Sequence, residues 1–440
     1  MNLEDELSPK RSYVGILEGL GAGLLALLLS VSLARVMTLE NFGELSSARG
    51  LLWIAEVIAS LGMGSLATRI YRAKQSDSNE VRARGLRRVA PLLIILVSTT
   101  FFAVLVGLHE SIGTQSAVKM LSFVAVVGIL PLVCLLTFFT ASAAAHGAGV
   151  AANAISQWGI RIAFLATLGL FLLQFERPLT VIQAAAAWAI ATAVCVLSLW
   201  FLVLRVEPKY LHHGGREYEV PSWLKVGLAF ALASLGTKVI RSGGVVVLGW
   251  FHADTSAAGR LTAAIAIATL LMTATGSLMM IYRPALVGAI ERSDLASSKR
   301  IFRLWRRSVL LMMLPTYVAM IAFAPSLLEF FGRGYSDAYW ALIVCATGNL
   351  IFSFLALGIP LYQFTGHETK TVVLMSTLAA LCVGGMVILG SLWAETGVAL
   401  ATVVTLNFGA GLVSVLGWRA TRSWKVPLTP PSETMRVQSE

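Results

Sequence analysis

Five ionisable residues interrupt apolar stretches of the sequence and are the first candidates for a functional site: Glu18, Arg49, Glu56, Lys238 and Arg241. A charge in hydrocarbon costs at least about 2.5–3.5 kcal/mol, so such residues persist where they face a wet cavity or pair with each other. Arg49 and Glu56 are seven residues apart, and Lys238 and Arg241 are three apart. In helices, each of these two sets is expected to share one face.

Two interpretations of these charges are open. In the first, a cationic cavity receives an anionic headgroup: Lys238 and Arg241 hold phosphate oxygens, and Glu56 or Glu18 holds a proton or a neighbouring base when the site is empty. In the second, the charges form structural ion pairs between helices, joining Glu18 or Glu56 to Lys238 or Arg241. We favour the cavity interpretation for the basic residues Lys238, Arg241 and Arg49. For the acids Glu18 and Glu56, both interpretations stay open.

Other polar and small residues of the apolar stretches give weaker signals. Asn349 and Asn407 are expected either to line the cavity or to form hydrogen bonds across helices. The Gly243-Gly244 pair is expected to kink its helix near the basic residues. Arg260 lies near the end of an apolar stretch and is expected to extend towards the headgroups. The four cysteines have no CxxC spacing, so we expect neither a metal site nor a cofactor.

The composition requires a membrane as solvent. The 440 residues are 57% hydrophobic and 13% charged, with a mean hydropathy of +0.78. Soluble proteins carry about 25% charged residues, because water-exposed surface has to be covered. The net charge of +11 comes from basic blocks between apolar runs, which is typical of loops against anionic headgroups rather than of nucleic-acid binding.

Apolar runs of about 20 residues, the length that crosses a bilayer as a helix, predict an all-α polytopic membrane protein with about twelve spans. The expected spans are 13–36, 45–67, 89–108, 117–140, 158–174, 182–204, 223–250, 258–282, 308–331, 339–361, 371–393 and 398–418.

The basic residues predict the orientation of these spans. With both termini in the cytoplasm, 24 Lys and Arg residues fall on the cytoplasmic side, and Arg35, Arg177 and Arg333 fall on the opposite side. This is the imbalance that the positive-inside rule requires. We therefore expect the N-terminus and the C-terminus to be cytoplasmic.

The loops predict that the protein is not an enzyme. The external loops are about eight residues long at most, and the chain has no Walker, GxSxG or HExxH motif. Neither an ATP-driven pump nor a glycan polymerase with a large external catalytic loop is therefore expected.

The two halves of the chain share an internal repeat. Gly43-Glu44-Leu45 corresponds to Gly259-Arg260-Leu261, and each half has a seven-base loop after its second span. A parallel repeat predicts two six-helix bundles, residues 1–210 and 211–440, around a central cavity that opens by alternating access. The mixed-charge segment 205–222 is expected to act as a hinge between them.

Three turns of the sequence resemble a known family. The stretch LARVMTLENFGELSSARGLLWIAEVIASLGMGSLATRIYRA (33–73) resembles the opening of the bacterial polysaccharide-exporter, or Wzx-type flippase, family. AAGRLTAA (257–264) and FAPSLLEFFGRGYSDAYWALIV (323–344) are similar to two turns of its second half. The matching residues are Leu33, Ala34, Arg35, Glu40, Phe42, Gly43, Leu61, Gly62, Arg69, Gly259, Pro325, Gly332, Tyr335 and Ala338.

The resemblance implies a fold and a substrate. The fold is that of the multidrug/oligosaccharidyl-lipid/polysaccharide exporter (MOP) superfamily. The substrate is a polyprenyl-pyrophosphate-linked oligosaccharide, an anionic lipid that is flipped across the bacterial inner membrane for surface polysaccharide synthesis and driven by an H⁺ or Na⁺ gradient. The alternative within the same superfamily is an ion-coupled multidrug or cation antiporter, which would need acidic residues to dominate the cavity.

Overall fold

A computed structural model describes residues 9–72, 77–112, 117–175, 177–211, 214–215, 217–251, 255–291, 294–363 and 368–422 of the protein. All regular secondary structure in these ranges is helical. The first six spanning helices are α1 (Pro9–Val36), α2 (Leu39–Ala59 and Met63–Arg72), α3 (Asp77–Ile112), α4 (Ala117–Val127 and Leu130–Ala143), α5 (Ile160–Gln174) and α6 (Val181–Val206). The next four are α7 (Val220–Phe251), α8 (Ser256–Glu291), α9 (Leu295–Ala322) and α10 (Tyr339–Leu355 and Gly358–Gln363). The continuous helix Glu368–Arg422 breaks at Trp393 and Ala394 into α11 and α12.

The helices confirm twelve spans. By length and composition, six described helices can cross a membrane, or up to eight when each of two bent pairs is one span. Two of the six, Val118–Gln174 and Lys370–Ala420, are 57 and 51 residues long and break at Gly147 and Ala394, where φ is positive, so each holds two spans. The two remaining spans are α1, whose apolar part is shorter, and α9, whose first turns contain arginines.

Polar caps fix where several helices begin. Thr38 accepts a hydrogen bond from the Asn41 amide at the start of α2, and Thr180 forms a capping box with Gln183 at the start of α6. Asp294 caps α9 through the Ser297 amide. α9 therefore covers 295–322 rather than the predicted 308–331, because its first turns are polar and its apolar end breaks at Phe323, before Pro325.

The predicted kink at Gly243-Gly244 is wrong. α7 bends by 45° between Leu232 and Ser234 instead. The hydroxyl of Ser234 donates to the carbonyls of Phe230 and Ala231, and such side-chain bonds to the preceding turn bend helices. Gly244 instead allows close packing, since a Cβ there would lie 2.6 Å from Cγ1 of Val398.

Gly43 and Gly259, which the predicted repeat makes equivalent, meet in the structure. A Cβ on Gly43 would lie 3.0 Å from the Gly259 amide, and one on Gly259 would lie 3.2 Å from the Gly43 amide. The same Cβ on Gly43 would clash with the carbonyl oxygen of Thr255. α2 and α8 therefore touch through backbone, as small residues allow in membranes.

The end of the bundle next to this glycine contact, predicted to be external, is tied by hydrogen bonds between the halves. Arg35 at the end of α1 donates to the carbonyls of Phe330 and Glu329, at 2.7 and 3.1 Å. The Thr255 hydroxyl donates to the Glu40 carbonyl at 3.2 Å. The two halves are thus closed against each other at this end.

The segment between the halves is fastened to the N-terminal half rather than extended as a free hinge. Arg87 of α3 binds Glu207 at 2.7 Å, and Arg82 binds Glu219 at 2.7 Å. Arg84 donates to the carbonyls of Tyr210 and Gly215. Movement between the halves is therefore expected at the start of α7, after these contacts, and not along the whole of 205–222.

The glycine contact predicts a steric test. In an open helical site, Gly→Ala is expected to stabilise by up to about 1 kcal/mol. Gly43→Ala is instead expected to lower the melting temperature in detergent, because overpacking costs about 1–3 kcal/mol. Gly107→Ala is the matched control, since nothing lies within 4 Å of its Cβ position. Equal melting temperatures for the two variants would contradict the backbone contact.

Candidate functional site

Lys238 and Arg241 of α7 contact different halves of the molecule. Lys238 Nζ lies 3.6 Å from Oε2 of Glu56 in the N-terminal half and 5.0 Å from the centre of the Trp53 ring. The Arg241 guanidinium lies 5.9 Å from the centre of the Phe352 ring in the C-terminal half. Three residues along a helix place the two positions about 60° apart around its axis, so the long side chains start close together and diverge.

Glu56 joins three helices. The residue is 6% exposed, and its Oε1 accepts a hydrogen bond from the Thr137 hydroxyl of α4 at 3.0 Å. Its Oε2 faces Lys238 of α7. This arrangement is the second of the two interpretations of the sequence, an ion pair between helices, and it links the two halves of the fold.

Arg49 is held by aromatic rings. Its guanidinium carbon lies 5.0 Å from the Trp188 ring centre and 6.0 Å from the Trp53 ring centre. Its Nε is buried and has no hydrogen-bond partner within the described ranges. Cation–π contacts of this kind stabilise by about 0.5–2 kcal/mol, so the rings offset part of the cost of the buried charge.

The two asparagines form hydrogen bonds across helices. The Asn349 amide donates to the Ala268 carbonyl at 2.9 Å, and Asn349 also lines a cavity. The Asn407 amide donates to the carbonyls of Gly348 and Val403, at 3.1 and 2.9 Å. Glu18 belongs to α1, but its side chain lies outside the part that the structure describes.

A cavity of about 530 Å³ lies within the C-terminal half. Its lining combines Arg241 and Arg283 with three threonines, Thr237, Thr371 and Thr405, and an apolar wall. That wall consists of Phe230, Ile240, Phe352, Ile359, Val372, Met375, Leu406 and Ala410.

Arg241 connects this cavity to its neighbours. It also lines adjoining cavities of about 160 and 460 Å³ between α7, α8, α10 and α12. The charged residues among the lining residues of all three are Arg241 and Arg283, with no carboxylate among those that the structure describes. The three cavities therefore combine positively charged side chains with walls that are otherwise largely apolar.

A second buried ion pair is one that the sequence pattern does not indicate. Arg260 Nε lies 2.8 Å from Oε1 of Glu395, whose side chain is 8% exposed, and Asp337 lies 3.9 Å from the same arginine. Arg260 therefore does not extend towards the headgroups as expected. Glu395 stands directly after the break between α11 and α12, and its position in a predicted loop gave no signal of burial.

The Glu56–Lys238 pair predicts a double-mutant cycle. Lys238→Met leaves a buried carboxylate without its cation and is expected to cost about 1–3 kcal/mol of unfolding free energy. Glu56→Gln removes the charge and retains an acceptor for Thr137. The double variant is expected to lose less than the sum of the single variants, because neither orphan charge remains. Denaturant unfolding in detergent measures this coupling.

The exposed lysine Lys370 is the control for this cycle. Lys370→Met is expected to change the unfolding free energy by less than about 0.5 kcal/mol. Strictly additive effects of Glu56→Gln and Lys238→Met would show that the two side chains do not interact.

Known structures share this architecture. An inward-facing multidrug resistance MATE family transporter of the MOP superfamily superposes with a TM-score of 0.72 at 14% identity, covering 91% of this chain and 100% of that one. An outward-facing multidrug resistance MATE family transporter of the MOP superfamily superposes with a TM-score of 0.66 at 15% identity, covering 96% of this chain and 98% of that one. A MOP superfamily transporter from Pyrococcus furiosus, described as having a binding pocket of reverse polarity that suggests a different function, gives 0.62 at 14% identity, covering 96% of each chain.

No protein-family model matches the sequence, and no curated protein matches it. At these identities the superpositions establish the fold. The chain is an all-helical membrane protein with the MATE-like fold, twelve spans in two six-helix lobes: α1–α6 form the N-terminal lobe and α7–α12 the C-terminal lobe.

Proposed function

We propose that the protein translocates a polyprenyl-pyrophosphate-linked oligosaccharide across the membrane by alternating access. The observation that carries this proposal is the C-terminal cavity, whose described charged lining residues are Arg241 and Arg283 and whose walls are otherwise mostly apolar. A diphosphate needs cationic and hydroxyl donors, and its lipid needs apolar contact. The cavity combines both.

The geometry supports a division of roles. Arg241 donates to the pyrophosphate, for which the planar guanidinium is suited, and the threonine hydroxyls add neutral donors. The wall that includes Phe230, Phe352 and Met375 contacts the first isoprene units. A volume of about 530 Å³ is in the range of ligand pockets and accommodates the headgroup region rather than a whole oligosaccharide.

Lys238 joins the site by a change of partner. It lies one turn from Arg241 but is held by Glu56 of the N-terminal half. Both bases contact one pyrophosphate when Lys238 releases Glu56. The carboxylate of Glu56 then keeps the hydrogen bond from the Thr137 hydroxyl.

The polarity of the cavity supports an anionic substrate. The description of that transporter relates the reverse polarity of its pocket to a different function. The cavity of this chain is basic, which is the polarity unsuited to a cationic drug. We place the protein in the bacterial inner membrane with both termini in the cytoplasm, as the basic loops predict.

The second candidate is an ion-coupled antiporter for drugs or other cations. It is favoured by Glu56 and Trp53, which together offer a carboxylate and an aromatic face once Lys238 moves away. Ethidium serves as the probe. We expect cells that overproduce the protein to gain no ethidium resistance, and a gain that Glu56→Gln abolishes would favour this candidate.

The proposal predicts the effect of removing the cavity base. Arg241→Ala is expected to lower translocation of a lipid-linked oligosaccharide by about tenfold or more, because a charge-assisted hydrogen bond contributes about 1.5–3 kcal/mol. Translocation is measured in proteoliposomes by accessibility of the sugar to an added lectin. In cells, the double change Lys238→Ala and Arg241→Ala is expected to abolish surface glycan.

Two controls separate binding from folding. Arg419→Ala removes an exposed base near the C-terminal end of α12 and is expected to leave translocation unchanged. Arg241→Lys retains the charge and is expected to recover part of the activity. Wild-type translocation by Arg241→Ala protein, at equal level and melting temperature, would overturn the proposed site.

A further inference from the structure

A second basic surface lies on the outer face of α9. It consists of Lys299, Arg300, Arg303, Arg306 and Arg307, all of them exposed, and we name it the α9 stripe. At 100° per residue these five positions fall within an arc of about 120° and over about 12 Å of helix. The opposite face, with Ile301, Phe302, Trp305 and Val309, is buried.

The stripe continues directly into a lipid-facing surface. Leu310, Leu311, Leu314 and Val318 occupy the same face of α9 and are 47%, 74%, 40% and 56% exposed. Exposed leucines on a spanning helix contact acyl chains, so the hydrocarbon boundary falls between Arg307 and Leu310. The stripe therefore lies at the depth of lipid phosphates.

The charges of the stripe are not neutralised within the described structure. Residues 295–322 contain no acid, and the ion pairs among the described residues do not include the five bases. Lys299 and Arg303, and Arg303 and Arg307, are spaced four apart, where like charges repel and destabilise a helix. An anion from outside the chain relieves that repulsion.

The equivalent helix of the other repeat shows the contrast. α3 follows the matching loop, and its Arg82, Arg84 and Arg87 bind Glu219, Glu80 and Glu207. The same place in the two repeats thus carries basic residues with different partners. In the N-terminal lobe they hold the connecting segment, and in the C-terminal lobe they face outward.

We propose that the α9 stripe binds anionic phospholipid of the surrounding bilayer, with the phosphodiester on the bases and the acyl chains on Leu310, Leu311 and Leu314. The continuity of basic and apolar surface on one helix face favours a lipid over an acidic protein, which would not need the leucines. The site is separate from the cavity of Arg241 and does not depend on the transported substrate.

Native mass spectrometry of the purified full-length protein tests this site. The probes are phosphatidylglycerol and phosphatidylcholine with identical acyl chains, offered at equal concentration. Each base near an anionic surface contributes about 1 kcal/mol, or about fivefold. We expect wild-type protein to retain phosphatidylglycerol over phosphatidylcholine by about tenfold or more, and the triple variant R300Q/R303Q/R307Q to lose most of this preference.

A matched control removes the same charge elsewhere. Arg88, Lys370 and Arg419 are exposed bases on three other helices, and R88Q/K370Q/R419Q is expected to retain the wild-type preference. R300K/R303K/R307K is expected to retain it as well, because the charges remain. Both triple glutamine variants are expected to melt within about 2 °C of wild type, since the changed residues are exposed.

Three outcomes would overturn the proposal. One is an unchanged preference in R300Q/R303Q/R307Q, which is also the result expected if the stripe binds an acidic protein. Another is an equal loss in the two glutamine variants, which would show a general charge effect. The third is displacement of phosphatidylglycerol by equimolar polyprenyl phosphate in wild type but not in R300Q/R303Q/R307Q, which would assign the stripe to the polyprenyl lipid.

Discussion

The cost of charge in hydrocarbon determines how this protein is built. An ionisable side chain that enters the spans has to be compensated, and among the described residues the structure does this in three ways. Glu56 and Glu395 are paired with bases of other helices. Arg49 is covered by two tryptophan rings, and Arg241 faces a cavity large enough for water or ligand. The polar interior therefore forms both the contacts between helices and the candidate binding site.

Contact between the lobes follows a different rule. Lipid tails are as apolar as leucine, so helices in a bilayer associate through close packing and directional bonds rather than hydrophobic burial. The glycines Gly43 and Gly259 bring two backbones together, and Gly62 does the same against Gly227. Such contacts have few side chains to disengage. An interface of this kind allows two rigid lobes to separate at one end while the other end closes, as alternating access requires.

The sequence predicts the architecture better than it predicts the site. Hydropathy and the basic loops identify twelve spans, since both signals are averaged over about 20 residues. The sequence also shows that Lys238 and Arg241 lie on one helix. Their divergence, however, depends on which residues pack around α7, and the spacing of the two bases does not reveal those neighbours. Glu395 was unpredictable for the same reason, because its partner Arg260 lies on a helix distant in sequence. The bend of α7 depends on a serine rather than on the glycines nearby.

The divergence of Lys238 and Arg241 bears on how a transporter of this fold would couple its steps. The Lys238 ammonium cannot make a short contact to Glu56 and a short contact to a phosphate in the cavity at the same time. In the proposed mechanism, a dianionic ligand held by Arg241 attracts the lysine away from Glu56, which is 6% exposed and costly as an unpaired anion. Ligand binding and the Glu56–Lys238 ion pair are then linked, and linkage requires that each disfavours the other. The same exchange removes an ion pair between the lobes, so the event that fills the cavity also weakens the contact that holds α2 against α7.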